Sequence, residues 1–299
     1  MRFFDPYQEI LRDAALFEER NFEQRLEAIE LLELAVLPDS EAAGSQAAAD
    51  RESARGRLER LIAALEDVDA RLFARLRVEI AAGRHRGNGF WDVLAEYCGA
   101  EGGDGWWRSD DGPGYDALDV FTNRLCSFLP MPAPTRLLEA EMVDYHKTPA
   151  RVVLELARRV TTEDVFVDLG AGLGQVVLLV HLLTGARARG LEIEPAFCCY
   201  ARECAAGLGL ANVAFLEGDA RFADYSKGTV FFMYTPFRGE LLETVFGLLR
   251  REASSRSFMV VTFGPCTVHA ARQEWLRVDG DSMQGDELSF FITTDGTCG

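Results

Sequence analysis

The sequence is short of the residues that several common classes of protein depend on. It has only two lysines, Lys147 and Lys227, and its 48 acidic residues outnumber 31 lysines and arginines, which gives a formal net charge of −17. Proteins that hold nucleic acid by its phosphates need a positive surface, so the charge disfavours a nucleic-acid partner. No apolar run approaches the roughly 18 residues of a membrane span, and acids stand where a signal peptide has its apolar core. We therefore expect a cytoplasmic protein without a membrane partner.

The cysteines are not arranged to form a disulfide framework or a zinc site. There are seven of them, an odd number, and no two are spaced as a CxxC pair. Such spacing argues against both kinds of site. We expect buried, reduced thiols and no metal.

The pattern of apolar residues changes near residue 142. Apolar residues at spacings of three and four predict helices over residues 1–37 and again from Leu58 to Gly83, with a small, polar connection at 38–50. Residues 1–142 are predicted to form an all-helical N-terminal domain that acts as a lid for substrate selection, docks a partner or forms oligomers. Residues 143–299, in which short apolar runs alternate with helical segments, are predicted to form a second, α/β domain.

The second domain should be a Rossmann-like, mostly parallel sheet with an antiparallel hairpin at one edge. Candidate strands are residues 165–169, 188–193, 213–216, 229–234 and 258–263, and the hairpin pairs 275–278 with 288–293. The connections between the first five are long enough for crossover helices, which favours parallel pairing.

The strongest local signal is the run VFVDLGAGLGQVV, in which a strand ends at Asp168 and leads into Gly170, Gly172 and Gly174. Glycines here allow a tight turn and close approach of a ligand, and the following helix offers free N–H groups. A dinucleotide site has the spacing GxGxxG, but Gln175 stands where that pattern needs glycine or alanine. The spacing DxGxGxG resembles that of the class I S-adenosylmethionine methyltransferases.

That resemblance implies S-adenosylmethionine as the cofactor and gives roles to the acids at the next strand ends. Glu192, about 20 residues beyond the glycines, is placed to accept both ribose hydroxyls. Asp219 corresponds to the acid that receives the adenine amino group, with the backbone of Ala220 close to the ring.

A closer resemblance covers residues 145–265. The run YHKTPARVVLELARRVTTEDVFVDLGAGLGQVVLLV is similar to the non-SET histone lysine methyltransferases of the disruptor-of-telomeric-silencing family. Through it, Tyr145, Thr148 and Gln175 become candidate contacts to the methionine end of the cofactor. The chain departs from the family at Lys147 and Tyr234, so the histone substrate is not carried over.

The fourth strand ends in FFMYTPF, where amino-group methyltransferases have their catalytic loop. Tyr234 is the first candidate for a catalytic residue, since its hydroxyl can orient or deprotonate an acceptor; the alternative is that it only shapes the pocket. Pro236 and Phe237 are predicted to line the acceptor pocket. His146 and His269 are further candidate bases, although His146 could equally be a hydrogen-bonded loop residue.

Together these patterns predict a methyltransferase that uses S-adenosylmethionine. As the methyl acceptor, a protein or peptide side-chain nitrogen is slightly favoured over a small metabolite. A non-catalytic protein that senses S-adenosylmethionine through the same pocket is the alternative, and an RNA or DNA methyltransferase is disfavoured by the acidity.

Overall fold

The computed structural model describes residues 10, 12–36, 45–99, 115–280 and 287–294. These form two compact units. The first comprises the described residues within 1–78 and 93–106, and the second those within 79–92 and 107–299.

The first unit is helical. A short 3-10 helix, Ala14–Phe17, precedes α1 (Phe22–Val36) and α2 (Ser45–Ala81), while α3 (Asn88–Cys98) begins in the second unit. Its core is a cluster of buried apolar side chains: Leu16, Ala28, Ile29, Leu32 and Leu65. Arg25 and Asp69 are also fully buried, and Arg25 Nε donates to Asp69 Oδ1 at 2.6 Å. This unit therefore combines an apolar core with one buried ion pair.

The helical prediction is confirmed, but two of its boundaries were wrong. Residues 1–9 of the first predicted helix lie outside the described residues, and its described part is interrupted before Phe22. The second helix begins at Ser45, inside the stretch predicted to be a connection. That stretch is rich in alanine, the best helix former, and propensity there outweighs the lack of apolar periodicity.

The second unit contains a seven-stranded sheet in the order β3-β2-β1-β4-β5-β7-β6. The first five strands are parallel: β1 (Val165–Leu169), β2 (Arg187–Glu192), β3 (Val213–Glu217), β4 (Val230–Tyr234) and β5 (Met259–Phe263). Strands β6 (Leu276–Val278) and β7 (Ser289–Thr293) are antiparallel to each other, and β7 is antiparallel to β5. The predicted fold class, with its edge hairpin, is confirmed.

Helices cover both faces of this sheet. The helices that follow α3 are α4 (Ala117–Cys126), α5 (Ala150–Ala157), α6 (Gln175–Thr184), α7 (Pro195–Gly207), α8 (Gly239–Ala253) and α9 (Cys266–Ala270). Phe231 and Met233 pack with α8 and α9 in one apolar cluster. Because side chains alternate along a strand, Phe232 faces the opposite side, where it stacks on Phe166 with 6.4 Å between ring centroids. The sheet is therefore buried on both faces, and its strand ends are left for a site.

Among the described helices, none combines the length and the apolar character needed to cross a bilayer.

Candidate functional site

A cleft of about 790 Å³ opens at the carboxyl ends of the parallel strands, within the second unit. Ligands of open parallel sheets bind at this edge. The predicted site residues that line it are Tyr145, His146, Thr148, Asp168, Gly170, Gly172, Gln175, Glu192, Asp219, Ala220, Tyr234, Pro236 and Phe237. Gly174 and His269 are not among the described residues that line it. The structure thus brings together residues that lie up to 92 positions apart in the sequence.

The turn after β1 needs glycine for two separate reasons. Gly170 and Gly172 have φ values of +85° and +53°, in the left-handed region that other residues avoid. A Cβ on Gly172 would also lie far inside van der Waals contact with the Tyr145 ring, and one on Gly170 would clash with Pro236. These glycines therefore let the wall of the cleft approach the turn closely.

Glu192 is held at the end of β2 by backbone amides. Its Oε2 accepts from Gly172 N at 2.6 Å and its Oε1 from Glu194 N at 2.8 Å. Burial raises the pKa of Glu192 in spite of these hydrogen bonds. Asp168 at the end of β1 is 3% exposed; burial, and then the charge of Glu192, raise its pKa to about 8. Two carboxyl groups thus share the floor of the cleft, and each retains lone pairs for a donor such as a hydroxyl or an amine.

Asp219 lies after β3 and is already engaged by a neighbouring cation. Its carboxylate accepts from Arg221 Nη2 at 2.6 Å, from Arg221 Nε, and from the Arg221 N–H at 2.8 Å. These hydrogen bonds lower the pKa of Asp219. Arg221 Nη2 also donates to Glu139 Oε1 at 2.7 Å. Asp219 lines the cleft, but the sequence gives no sign that Arg221 orients its carboxylate.

Gln175, the first residue of α6, has an unsatisfied polar atom in the cleft. It is 3% exposed, and its Nε2 lies 3.4 Å from Thr122 Oγ1. Its Oε1 is buried and accepts no hydrogen bond from the residues that the structure describes. A buried acceptor without a partner costs about 1–3 kcal/mol, so it favours a ligand that donates to it. Tyr145 lies nearby in the same cleft and packs edge-on against Phe197 at 5.8 Å.

The loop after β4 forms the opposite wall. Thr235 has a φ of +40°, which is rare for a β-branched residue. Its Oγ1 donates to Phe263 O and accepts from Cys266 N, each at 3.2 Å, and these contacts hold the strained backbone in place. Tyr234, directly before it, is half-buried, lines the cleft and packs against Phe263 at 4.8 Å.

This wall is joined to the segment that precedes α5. Met142 and Phe237 form an isolated antiparallel bridge, and Val143 N donates to Pro236 O at 3.1 Å. The carboxylate of Glu141 accepts from the N–H groups of Glu240 and Leu241, at 2.9 Å each, in the first turn of α8. Those hydrogen bonds lower the pKa of Glu141.

The two candidate histidines occupy different places. His146 is exposed at the cleft, and its Nδ1 lies 2.8 Å from Asp144 O, which leaves Nε2 as the nitrogen available to a ligand. The His269 ring instead packs against Phe246 at 4.8 Å and lies 3.4 Å from a Glu243 carboxylate oxygen. His269 follows β5 as predicted, but its helix turns the ring away from the cleft.

Sequence reasoning missed Glu194 and the residues bound to it. Its Oε1 accepts from Thr135 Oγ1 at 2.6 Å, and its Oε2 from Arg136 N at 2.8 Å. Burial alone would raise the pKa of Glu194, but these hydrogen bonds and that of Ala196 N lower it to about 2. Pro134 and residues 136–138 line the cleft. The only signal in the sequence is that Glu194 immediately precedes the proline that begins α7.

No family model and no curated protein matches this chain. Among solved structures, it is similar to an RNA methyltransferase from Salinibacter ruber in complex with S-adenosyl-L-homocysteine, with 29% identity and a TM-score of 0.40. The match covers 51% of this chain and 95% of that one.

Two further solved structures resemble the chain more weakly. A SAM-dependent methyltransferase from Geobacter sulfurreducens, also in complex with S-adenosyl-L-homocysteine, is 23% identical with a TM-score of 0.32, covering 38% of this chain and 47% of that one. The mitomycin 7-O-methyltransferase MmcR is 20% identical with a TM-score of 0.37, covering 47% and 52%. None of these three is described as a histone lysine methyltransferase, so that resemblance stays a prediction. At such TM-scores the likeness carries no functional argument.

Proposed function

We propose that this protein is an S-adenosylmethionine-dependent methyltransferase whose cofactor binds in the cleft at the ends of β1, β2 and β3. One observation carries the proposal. Acids at the carboxyl ends of three adjacent strands, Asp168, Glu192 and Asp219, line a single cleft beside a glycine turn, and the Gly172 amide donates to Glu192. This combination suits a ligand with a vicinal diol, an adenine amino group and an ammonium group.

The residues present fit that cofactor. The unsatisfied Gln175 Oε1 can accept from an ammonium group, and the free lone pairs of Glu192 can accept from ribose hydroxyls. Bringing a cation beside Asp168 would stabilise its ionised form and return its pKa toward the ordinary range. When bound, S-adenosylmethionine supplies a methyl group on a positively charged sulfur.

The chain's own contribution at the acceptor side is to position a nucleophile and to take its proton. Tyr234 and His146 both line the cleft. Each has an atom that can accept a hydrogen bond from the nucleophile of the methyl-accepting substrate. The resemblance of residues 145–265 to non-SET lysine methyltransferases favours a protein or peptide side-chain nitrogen as the acceptor. The RNA named for the Salinibacter protein is disfavoured here by a net charge of −17.

Calorimetry with the purified protein tests the cofactor assignment. We expect binding of S-adenosylmethionine and S-adenosylhomocysteine and none of NAD. Glu192→Gln should weaken binding at least tenfold, because it replaces a charge-assisted acceptor. Glu217→Gln is the matched control, since Glu217 is exposed on the neighbouring strand and is not among the cleft-lining residues described. Binding of NAD without binding of the methyl donor would overturn the proposal.

The acceptor can be found by incubating the protein with an extract of its source and methyl-labelled S-adenosylmethionine, followed by mass spectrometry. A labelled product would distinguish an enzyme from a sensor. With that product as readout, Tyr234→Phe should lower turnover about a hundredfold at unchanged cofactor affinity if the hydroxyl orients or deprotonates the acceptor. Normal turnover in Tyr234→Phe, with loss in Tyr234→Ala, would assign the ring a packing role instead.

A further inference from the structure

A short segment, Thr135 to Glu139, crosses one end of the cleft and is held at both of its ends. At its start, Thr135 Oγ1 and Arg136 N donate to the carboxylate of Glu194, which follows β2. At its end, Glu139 accepts from Arg221, which in turn holds Asp219 after β3. We call residues 135–139 the clamp segment.

The position of the clamp segment follows from the sheet. Strands β2 and β3 pair in register up to Glu192 and Glu217, so the loops that follow them are neighbours about 5 Å apart. The four residues from 136 to 139 can span about 10 Å when not fully extended. The segment therefore bridges the two loops, from Glu194 after β2 to Arg221 after β3.

Two leucines occupy the middle of the clamp segment and line the cleft. Leu137 is 94% exposed and Leu138 is 39% exposed. Exposed apolar surface is unfavourable in water. Because the segment is held at both ends, these side chains cannot bury that surface by folding back into a core. They line the same cleft as the acids Glu192 and Asp219, which points to a ligand with polar edges and an apolar face, as a nucleoside has.

We propose that Leu137 and Leu138 form the outer wall of the nucleoside pocket and select for the adenine half of the cofactor, while the Glu139–Arg221–Asp219 chain holds them in place. This inference rests on the proposed function and adds its specificity residues. Arg221 and Glu139 are positioning residues: they act through the leucines and the Asp219 carboxylate.

Binding of 5′-methylthioadenosine tests this, because the molecule contains the nucleoside half of the cofactor without its amino acid. Leu137→Ala and Leu138→Ala should each weaken binding of methylthioadenosine and of S-adenosylhomocysteine about tenfold, the usual effect of removing a covered apolar group. Leu137→Met, which keeps the apolar volume, should restore binding to within about twofold. Glu139→Gln should weaken both ligands about threefold by releasing the far end of the segment.

Val268→Ala is the control, because Val268 is also exposed (47%) but lies on α9, outside the described lining of the cleft. Its affinities should equal those of the wild type. If both leucine variants bind methylthioadenosine as tightly as Val268→Ala does, the inference is wrong while the proposed function stands. If the wild-type protein binds neither methylthioadenosine nor S-adenosylhomocysteine, both are wrong.

Discussion

Replacing Gly172 with alanine separates the two demands that the turn after β1 places on this residue. A left-handed backbone costs a non-glycine residue about 1–2 kcal/mol. The new Cβ would also overlap the Tyr145 ring and force it to move. Displacing that ring loses its edge-on contact with Phe197, which is worth about 0.5–1.5 kcal/mol. We therefore expect Gly172→Ala to lower the free energy of unfolding by about 1.5–3.5 kcal/mol.

Gly185→Ala is the matched control. Gly185 also has a positive φ, +75°, but its added Cβ would meet only Thr162 Cγ2 at an ordinary 3.4 Å. That variant should lose about 1–2 kcal/mol, the backbone share alone. Urea unfolding followed by circular dichroism measures both values.

Ligand affinity gives the sharper readout. Moving Tyr145 changes a wall of the cleft, so Gly172→Ala should bind S-adenosylhomocysteine at least tenfold more weakly, whereas Gly185→Ala should bind it normally. Equal stability losses in the two variants, together with normal affinity in Gly172→Ala, would refute the reasoning. The glycine would then serve the turn alone.

Three further predictions follow from buried polar groups. The pKa of Asp168, about 8 in the folded chain against 3.8 normally, means that folding takes up a proton between those values, so stability falls as pH rises through that window. In calorimetric scans without ligand, the Tm of Asp168→Asn should therefore exceed that of the wild type by a difference that grows from pH 5 to pH 8. A difference in Tm that does not change with pH would contradict the assignment. Gln175→Leu removes an unsatisfied buried acceptor, so unfolding should show equal or greater stability while calorimetry shows about tenfold weaker S-adenosylhomocysteine binding; unchanged affinity would mean that Gln175 does not meet the ligand. Arg25→Met removes the cation from a buried ion pair and should cost about 3–5 kcal/mol in urea unfolding, much of it recovered when Asp69→Leu is added; a smaller loss in the single variant would contradict this.

The fold was predictable because its signals are local. Each parallel strand lies within one or two residues of its predicted bounds, since short β-branched and aromatic runs flanked by helical segments have few other interpretations. The start of α2 was missed because alanine-rich helices show no apolar stripe.

The site was predictable only in part, for a different reason. Residues at the carboxyl end of a strand, such as Asp168 and Glu192, reach the cleft because strand ends fix their position. His269 lies inside a helix, and the direction of its ring depends on how α9 packs against Phe246, which no local pattern encodes. The clamp segment depends on hydrogen bonds between residues 58 and 59 positions apart. The proline-rich stretch that precedes it indicates only a loop.

The bond between Glu141 and the first turn of α8 has a consequence for synthesis. The two hydrogen bonds join Glu141 to Glu240 and Leu241, which follow it in the chain by 99 and 100 positions. At about 5–20 residues per second, a ribosome needs roughly 5–20 s to make the stretch between them. In the later half of that interval, once Glu192 has been made, the nascent chain has the glycine turn, Asp168 and Glu192 but lacks the wall after β4. A cellular ligand that meets the growing polypeptide therefore finds an incomplete pocket until Leu241 has emerged, and its binding can aid only the last stage of folding.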